Sequence, residues 1–324
     1  MQKKNPAKRR PERLVVTLLS LLFLSTAVFA TVKYVFRAPE LDTDNDRTGT
    51  DEPDALGRTR RKYCYNILVS GLDDDNGGSD TNILVRFDVP NKRIDLVSLP
   101  RDTLLHNEYR NNKLNFAYAK GGTELLMEQI ENLLGIPVDF YVTVNLKGFI
   151  ALVDQIDGVD FDIPINMDYD DPYQDLHIHF TKGPRHLNGQ EAMEVVRFRH
   201  NNDGTGYGTE DIGRIGTQQA FLKAVAKQLL QIGNVKNIPA LVDIFYTYVK
   251  TDLTTGNLVW LGNEALNIGT ENIHFATLPG DGSGYYNKQS VYVLDAQATC
   301  DLVNEALNPY NEALTLEDMD ILVP

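Results

Sequence analysis

At 324 residues, 42% hydrophobic and 23% charged, the chain has the length and composition of a globular protein with one large domain or two small ones. Its net charge of −14 is unevenly spread: residues 1–37 carry eight basic side chains against Glu12, a net of +7, which leaves −21 on residues 38–324. An acidic body repels nucleic-acid phosphates at long range, which argues against a DNA- or RNA-binding role.

Residues 1–13 form a basic tail. Leu14 to Val32 follows as 19 residues without a charge, enough to cross a bilayer as a helix. This predicts a transmembrane anchor over 14–35, with the basic tail cytoplasmic and the acidic body outside the cell membrane. Val28-Phe29-Ala30 also resembles a signal peptidase site, so a cleaved signal peptide is the competing reading. Residues 36–61 read as a linker, acidic and without periodicity over most of its length. Arg58, Arg60, Arg61 and Lys62 form a basic patch, either solvated or facing lipid headgroups.

The body, 62–324, alternates strand-like and helix-like segments. Strands are predicted over 66–71, 81–89, 94–99, 141–146, 159–165 and 273–278. Helices are predicted over 124–134, ending at Gly135, and over 149–156, 191–196, 211–232, 238–248, 258–266 and 294–307. The mixture predicts an α/β fold, a three-layer α/β/α sandwich around a mixed central sheet. Cys64 and Cys300 could pair in an oxidising exterior or stand as two buried thiols.

Arginine dominates the candidate site residues. Asp211, Arg214 and Gln218 fall at i, i+3 and i+7, one face of a helix. Arg197 and Arg199 flank Phe198 and share a face only if that segment is extended. Arg101 follows Ser98-Leu99-Pro100 at the end of an apolar run and precedes Asp102. Guanidinium groups make forked contacts with phosphate oxygens, and converging arginines repel one another until an anion such as pyrophosphate binds. The bland alternative is surface salt bridging. Asp211 could equally cap its helix.

Asp73 and Asp80 bracket an acidic Gly-rich turn between two strands. Such a pair can hold Mg²⁺, whose other positions go to water and phosphate oxygen. An EF-hand is excluded, because Leu84 stands where the bidentate Glu belongs. No G-x-x-x-x-G-K loop occurs, and Gly280-Asp281-Gly282-Ser283-Gly284 lacks the central Ser of a nucleophile elbow. His177 and His179 share a strand face and could ligate a transition metal, but no Cys or third His has suitable spacing.

Ordered motifs over residues 64–235 resemble those of the LytR-CpsA-Psr family, membrane-anchored transferases of Gram-positive cell walls. They are Asn66-Ile67-Leu68 through Gly71 and Asp73, Ser79-Asp80-Thr81, Ser98-Leu99-Pro100-Arg101-Asp102 and Lys113-Leu114-Asn115 with Ala117-Tyr118. Gly121-Gly122, Val153-Asp154 with Gly158-Val159, Leu187-Asn188-Gly189, Val196-Arg197-Phe198-Arg199 and 211–219 complete the series. The resemblance implies an apolar pocket for a polyprenyl tail, pyrophosphate held by Arg101, Arg197, Arg199, Arg214 and Gln218, and Mg²⁺ at Asp73 and Asp80. The implied reaction moves a glycopolymer phosphate, such as teichoic acid or capsule, from undecaprenyl pyrophosphate to a peptidoglycan hydroxyl. Arg101 is central to it, and Asp102 or Asp211 could take the proton. Two departures stand out: Gly78 replaces the family's arginine before Ser-Asp-Thr, and His200 to Glu210 is a longer, Gly/Asn-rich stretch. The same residues would suit a polyprenyl pyrophosphate hydrolase, and a non-catalytic lipid-binding or regulatory protein is the alternative from another class.

Overall fold

A computed structural model describes residues 36–41, 54, 56–72, 78–107, 109, 111–173, 175–207, 210–231 and 244–323. The expected anchor over 14–35, Asp73, and most of the expected 238–248 helix lie outside the described residues. Among the described residues no helix is long and apolar enough to cross a membrane.

A six-stranded mixed sheet organises the body. At its centre, β1 (Cys64–Leu72) pairs antiparallel with β2 (Ser79–Asp88) and parallel with β4 (Phe140–Asn145). β2 also pairs antiparallel with β3 (Arg93–Leu99), and the edges are β10 (Ile273–Thr277), parallel to β3, and β9 (Val249–Thr251), antiparallel to β4. Successive residues of a strand point to opposite faces, and in β1 both sets are apolar because both faces are covered. Leu68, Leu84 and Val97 pack against α1 (Leu114–Leu134) and α6 (Ala296–Ala306). On the other face Ile67, Phe87 and Ile94 pack with Leu261 and Ile268 of α5 (Thr255–Ile268).

The first half of α1 escapes a periodicity argument because Gly121 and Gly122 interrupt it, the latter at φ 68° and ψ −157°, which only glycine adopts readily. Gly135 ends the helix as expected, in a left-handed conformation.

A second core sits beside the sheet. It joins α2 (Leu146–Gln155), α3 (Gly189–Arg197) and α4 (Glu210–Gln231) to two hairpins, β5 (Val159–Ile163) with β8 (Gly183–Leu187) and β6 (Met167–Asp171) with β7 (Leu176–Phe180). Phe221 of α4 is fully buried between Phe149 and Phe161. α3 opens with a capping box, Asn188 accepting from Glu191 N and Glu191 from Asn188 N. The next residue, Gly189, lies against Ile150 so closely that a Cβ there would fall 2.2 Å from the Ile150 carbonyl oxygen.

Of the two readings of the cysteines, the second holds: Cys64 and Cys300 are separate buried free thiols, Cys300 resting on the Leu314 carbonyl, and no disulfide joins them. The basic patch is not a solvated run of four charges: Lys62 is exposed, but the three arginines are ion-paired. Arg58 pairs with Asp54 and stacks on Tyr310, Arg60 pairs with buried Asp139, and Arg61 reaches Asp88 at 2.7 Å. The expected helix over 294–307 starts at Ala296, because Leu294 still belongs to β12 (Gln289–Leu294) and Asp295 caps the helix.

Candidate functional site

The carboxyl end of β3 is where the sheet becomes a site. Pro100 stops the strand's hydrogen bonding, and Arg101 emerges beyond the sheet beside Asp80 at the start of β2. Arg101 Nη1 lies 2.5 Å from Asp80 Oδ1, a charge-assisted hydrogen bond. Asp102 forms an ion pair with Lys113, Nζ to Oδ1 3.2 Å, and faces Arg101 Nε at 3.8 Å. Lys113 stands just ahead of α1, so that helix supplies a counter-charge to the site.

The other contributions come from the second core. Arg197 is the last residue of α3, and Phe198 turns the backbone extended (φ −60°, ψ 133°). That change lets Arg197 and Arg199 reach one cavity across the buried Phe198 ring, as their two-residue spacing requires. Arg214 and Gln218 lie one helical turn apart on α4. Gln218 Nε2 donates to the Val196 carbonyl at 3.0 Å, tying α4 to α3. The His200–Glu210 stretch begins as an ordered turn: Asp203 accepts from the Thr205 N–H at 2.9 Å and from its hydroxyl at 2.6 Å. Tyr207 then packs edge-on against Phe198 and accepts from Thr217 Oγ1 at 2.8 Å. Burial pushes the Tyr207 phenol up from its ordinary value.

Two cavities meet here. One, of 340 Å³, is lined by Arg101, Arg197, Arg199, Arg214 and Gln218, together with Asp80, Tyr169 and His200. The other, of 430 Å³, is lined by Asp102, Leu99, Ile215 and Val291 and by Asp281 and Ser283 of β11 (Gly280–Tyr286). Asp80, Thr81, Arg101, Arg214 and Gln218 line both, so one layer of side chains separates them. Arg214 is only 7% exposed, which sets it apart from an ordinary surface arginine.

The fold therefore brings together all the expected anion-binding residues and Asp80. Asp102 faces the neighbouring cavity. α4 starts at Glu210, so Asp211 falls within its first turn and not ahead of it as a cap would. Mg²⁺ takes hard oxygen donors, usually one or two carboxylates plus phosphate. Asp80 suits that chemistry, with 41% of its side chain exposed and a place in both cavity walls.

The sequence reading missed Lys113, the partner of Asp102; it lies in the motifs quoted above, yet follows no spacing that marks it for a role. Gly280–Gly284, which lacks the central Ser of a nucleophile elbow, opens strand β11 and forms a cavity wall through Asp281, Gly282 and Ser283.

A model of the LytR_cpsA_psr family matches residues 31–308. The chain belongs to that family. It is 32% identical over 252 residues to the polyisoprenyl-teichoic acid–peptidoglycan teichoic acid transferase TagV of Bacillus subtilis, covering 74% of this chain and 62% of TagV. It is 31% identical over 270 residues to the Bacillus cereus transferase TagU, covering 82% of this chain and 84% of TagU. The crystal structure of B. subtilis TagV superposes with a TM-score of 0.64 at 27% identity, covering 81% of this chain and all of that one. The TagV structure and this chain share the mixed α/β fold around a central mixed sheet.

Proposed function

We propose that this LytR_cpsA_psr protein is a phosphotransferase that moves a glycopolymer phosphate from undecaprenyl pyrophosphate to a peptidoglycan hydroxyl. The observation that carries the reading is the 340 Å³ cavity ringed by Arg101, Arg197, Arg199, Arg214 and Gln218. The names of TagV and TagU as teichoic acid transferases support the same class of substrate.

In this reading the acceptor hydroxyl oxygen attacks the phosphorus that bears the glycopolymer. A new P–O bond forms, the anhydride P–O bond breaks, and undecaprenyl phosphate leaves with the bond's electron pair. Charge grows on the leaving phosphate, where fixed guanidinium groups stabilise it more than they stabilise the ground state. Arg197 and Arg199 clamp the pyrophosphate from the α3 side, while Arg214 and Gln218 do so from α4. Arg101 sits between donor and acceptor, oriented by Asp80. The hydroxyl proton passes to a carboxylate, with Asp102 the candidate that lines the adjoining cavity and Asp211 the alternative. Mg²⁺, held by Asp80 and Asp73, would neutralise phosphate oxygens and orient the donor. The polyprenyl-linked substrate and the apolar run before the body support a single-pass anchor over 14–35 with the body outside the cell membrane.

The test is lipid pyrophosphate affinity in Arg101→Ala, Arg197→Ala, Arg199→Ala and Arg214→Ala, with thermal stability as the control. Each hydrogen bond to a charged group is worth about 1.5–3 kcal/mol, so each loss weakens binding about ten- to a hundredfold. Lysine substitutions should rescue only in part, because lysine lacks the fork. Unchanged affinity in all four returns these arginines to structural salt bridging. Product analysis with and without peptidoglycan separates transfer from hydrolysis, and protease shaving of intact cells tests the topology.

A further inference from the structure

The β6–β7 hairpin carries a second polar cluster that phosphate transfer does not use. Met167, Leu176, Ile178 and Phe180 turn into the core, so the alternate residues Asp168, Asp170, His177 and His179 face solvent. The antiparallel register sets Asp168 opposite His179 and Asp170 opposite His177. Two carboxylates from one strand thus meet two imidazoles from the other, supplying partners that the spacing of His177 and His179 alone did not reveal.

The ring nitrogens divide in a definite way. His179 Nδ1 lies 2.8 Å from Asp168 Oδ1, while its Nε2 lies 3.4 Å from Asp170 Oδ1. His177 Nδ1 lies 2.5 Å from that same Asp170 oxygen, while its Nε2 lies 3.6 Å from Asp175 Oδ1. Each imidazole therefore turns one nitrogen to Asp170 and the other to a separate carboxylate. A neutral imidazole has one N–H and one lone pair. If the N–H goes to the outer carboxylate, the lone pair faces the Asp170 oxygen, and a cation between them turns that repulsion into attraction. That cation is a proton on each ring or one metal ion. Histidines that bind metals characteristically donate their other N–H to a carboxylate.

We propose that Asp170, His177 and His179 bind one divalent transition-metal ion of the Zn²⁺ class, with Asp168 and Asp175 orienting the two rings. Candidate ligand atoms of the three residues all lie within 4.8 Å of one another. Two imidazoles and a carboxylate suit a borderline ion and not Mg²⁺, which takes oxygen donors. Bonds of about 2.0–2.1 Å in a tetrahedron place neighbouring ligands roughly 3.3–3.4 Å apart, the spacing His179 and Asp170 already have. The His177–Asp170 contact must lengthen, which exposed side chains allow.

The single pair Asp160–His186 on the neighbouring hairpin shows the contrast. It has one imidazole on one carboxylate at 2.8 Å, an ordinary cross-strand charge pair with no second ring to complete a site. The β6–β7 cluster also has a structural connection to the anion cavity. Tyr169, between the two aspartates, lines that cavity, and the backbone N–H groups of Asp168 and Asp170 donate to Asn201 and Asn202 beyond Arg199. A bound ion would cross-link the hairpin that forms this wall.

The experiment titrates ZnCl₂ into the full chain, purified in detergent and stripped with a chelator, by calorimetry. The expected result is one Zn²⁺ per chain, undisturbed by excess Mg²⁺. His177→Gln and His179→Gln should each weaken binding at least about tenfold, the loss that removing even a partner of a ligand brings, and His186→Gln should leave it unchanged. Asp170→Asn, which keeps the side chain's shape, repeats the test should either imidazole variant unfold. A chain without one-to-one binding below about 0.1 mM Zn²⁺ overturns the proposal. So does affinity unchanged in His177→Gln, His179→Gln and Asp170→Asn, or reduced as much in His186→Gln.

Discussion

Gln219 on α4 donates from Nε2 to Ser98 Oγ at the end of β3, 3.1 Å away. The same nitrogen lies 2.7 Å from the Ala276 carbonyl and 2.9 Å from Thr277 Oγ1 on β10. One amide thus clamps the helix bearing Arg214 and Gln218 to two strands, three residues before Arg101. Gln219→Leu leaves these acceptors unsatisfied, at an expected cost of about 1–3 kcal/mol. A lowered melting temperature together with weaker polyprenyl pyrophosphate binding is the expected result. An unchanged melting temperature would show that the clamp does not hold the helix.

Gly78→Arg offers a gain-of-contact experiment. A Cβ at Gly78 meets nothing closer than the Asn115 carbonyl oxygen at 4.0 Å, so the turn has room for a side chain. An arginine here adds a guanidinium next to Asp80 and Arg101, and one further charged hydrogen bond tightens lipid pyrophosphate binding about tenfold. Equal or weaker affinity in a folded variant would mean that the residue at 78 does not reach the anion.

Stability depends on a buried ion pair far from the cavity. Arg60 and Asp139 bond to each other with side chains 3% and 0% exposed, and the Asp139 carboxylate also accepts from Asn66 N at 2.8 Å. Asp139→Ala leaves a guanidinium buried without its counter-charge and should cost about 3–5 kcal/mol. Chemical denaturation would register this as a lower midpoint at unchanged slope.

Cys64 provides a pH signature. Burial pushes its thiol up to about 11, from an unfolded value of 9.0. The raised value means that stability from this group is fully present below pH 9 and is lost as pH rises toward 11, because the unfolded chain releases the proton first. A two-unit shift corresponds to a loss on the order of 2–3 kcal/mol. Denaturation at pH 8 and pH 10.5 should show less of that decline in Cys64→Ala than in the parent chain. Equal declines would remove Cys64 as a cause.

Five of the six strands of the central sheet were legible because β-branched and apolar runs with turn residues between them leave little choice, and α4 because its pattern is long; the edge strand β9, only three residues, was not. The arginine cluster was legible only as two local spacings and a strand end. Its convergence depends on α3 and α4 meeting through Gln218 and Val196, a tertiary contact with no sequence period. The β6–β7 hairpin was missed as an element because five-residue strands rich in Asp and His alternate too briefly to stand out. The ion pairs of Arg58, Arg60 and Arg61 were misread for a related reason: a run of like charges reads as solvated until acids from distant segments, Asp88 and Asp139, arrive beside it.

Gly189 has a consequence at a distance. With the Ile150 carbonyl where its side chain would be, even alanine must push the start of α3 away from α2. A helix is stiff, and its nine residues extend about 13 Å, so the displacement is carried along its length to Arg197. The aim of a guanidinium at one end of this rod is set by the missing methyl group at the other. Gly189→Ala should therefore misplace Arg197 without changing any atom that lines the cavity.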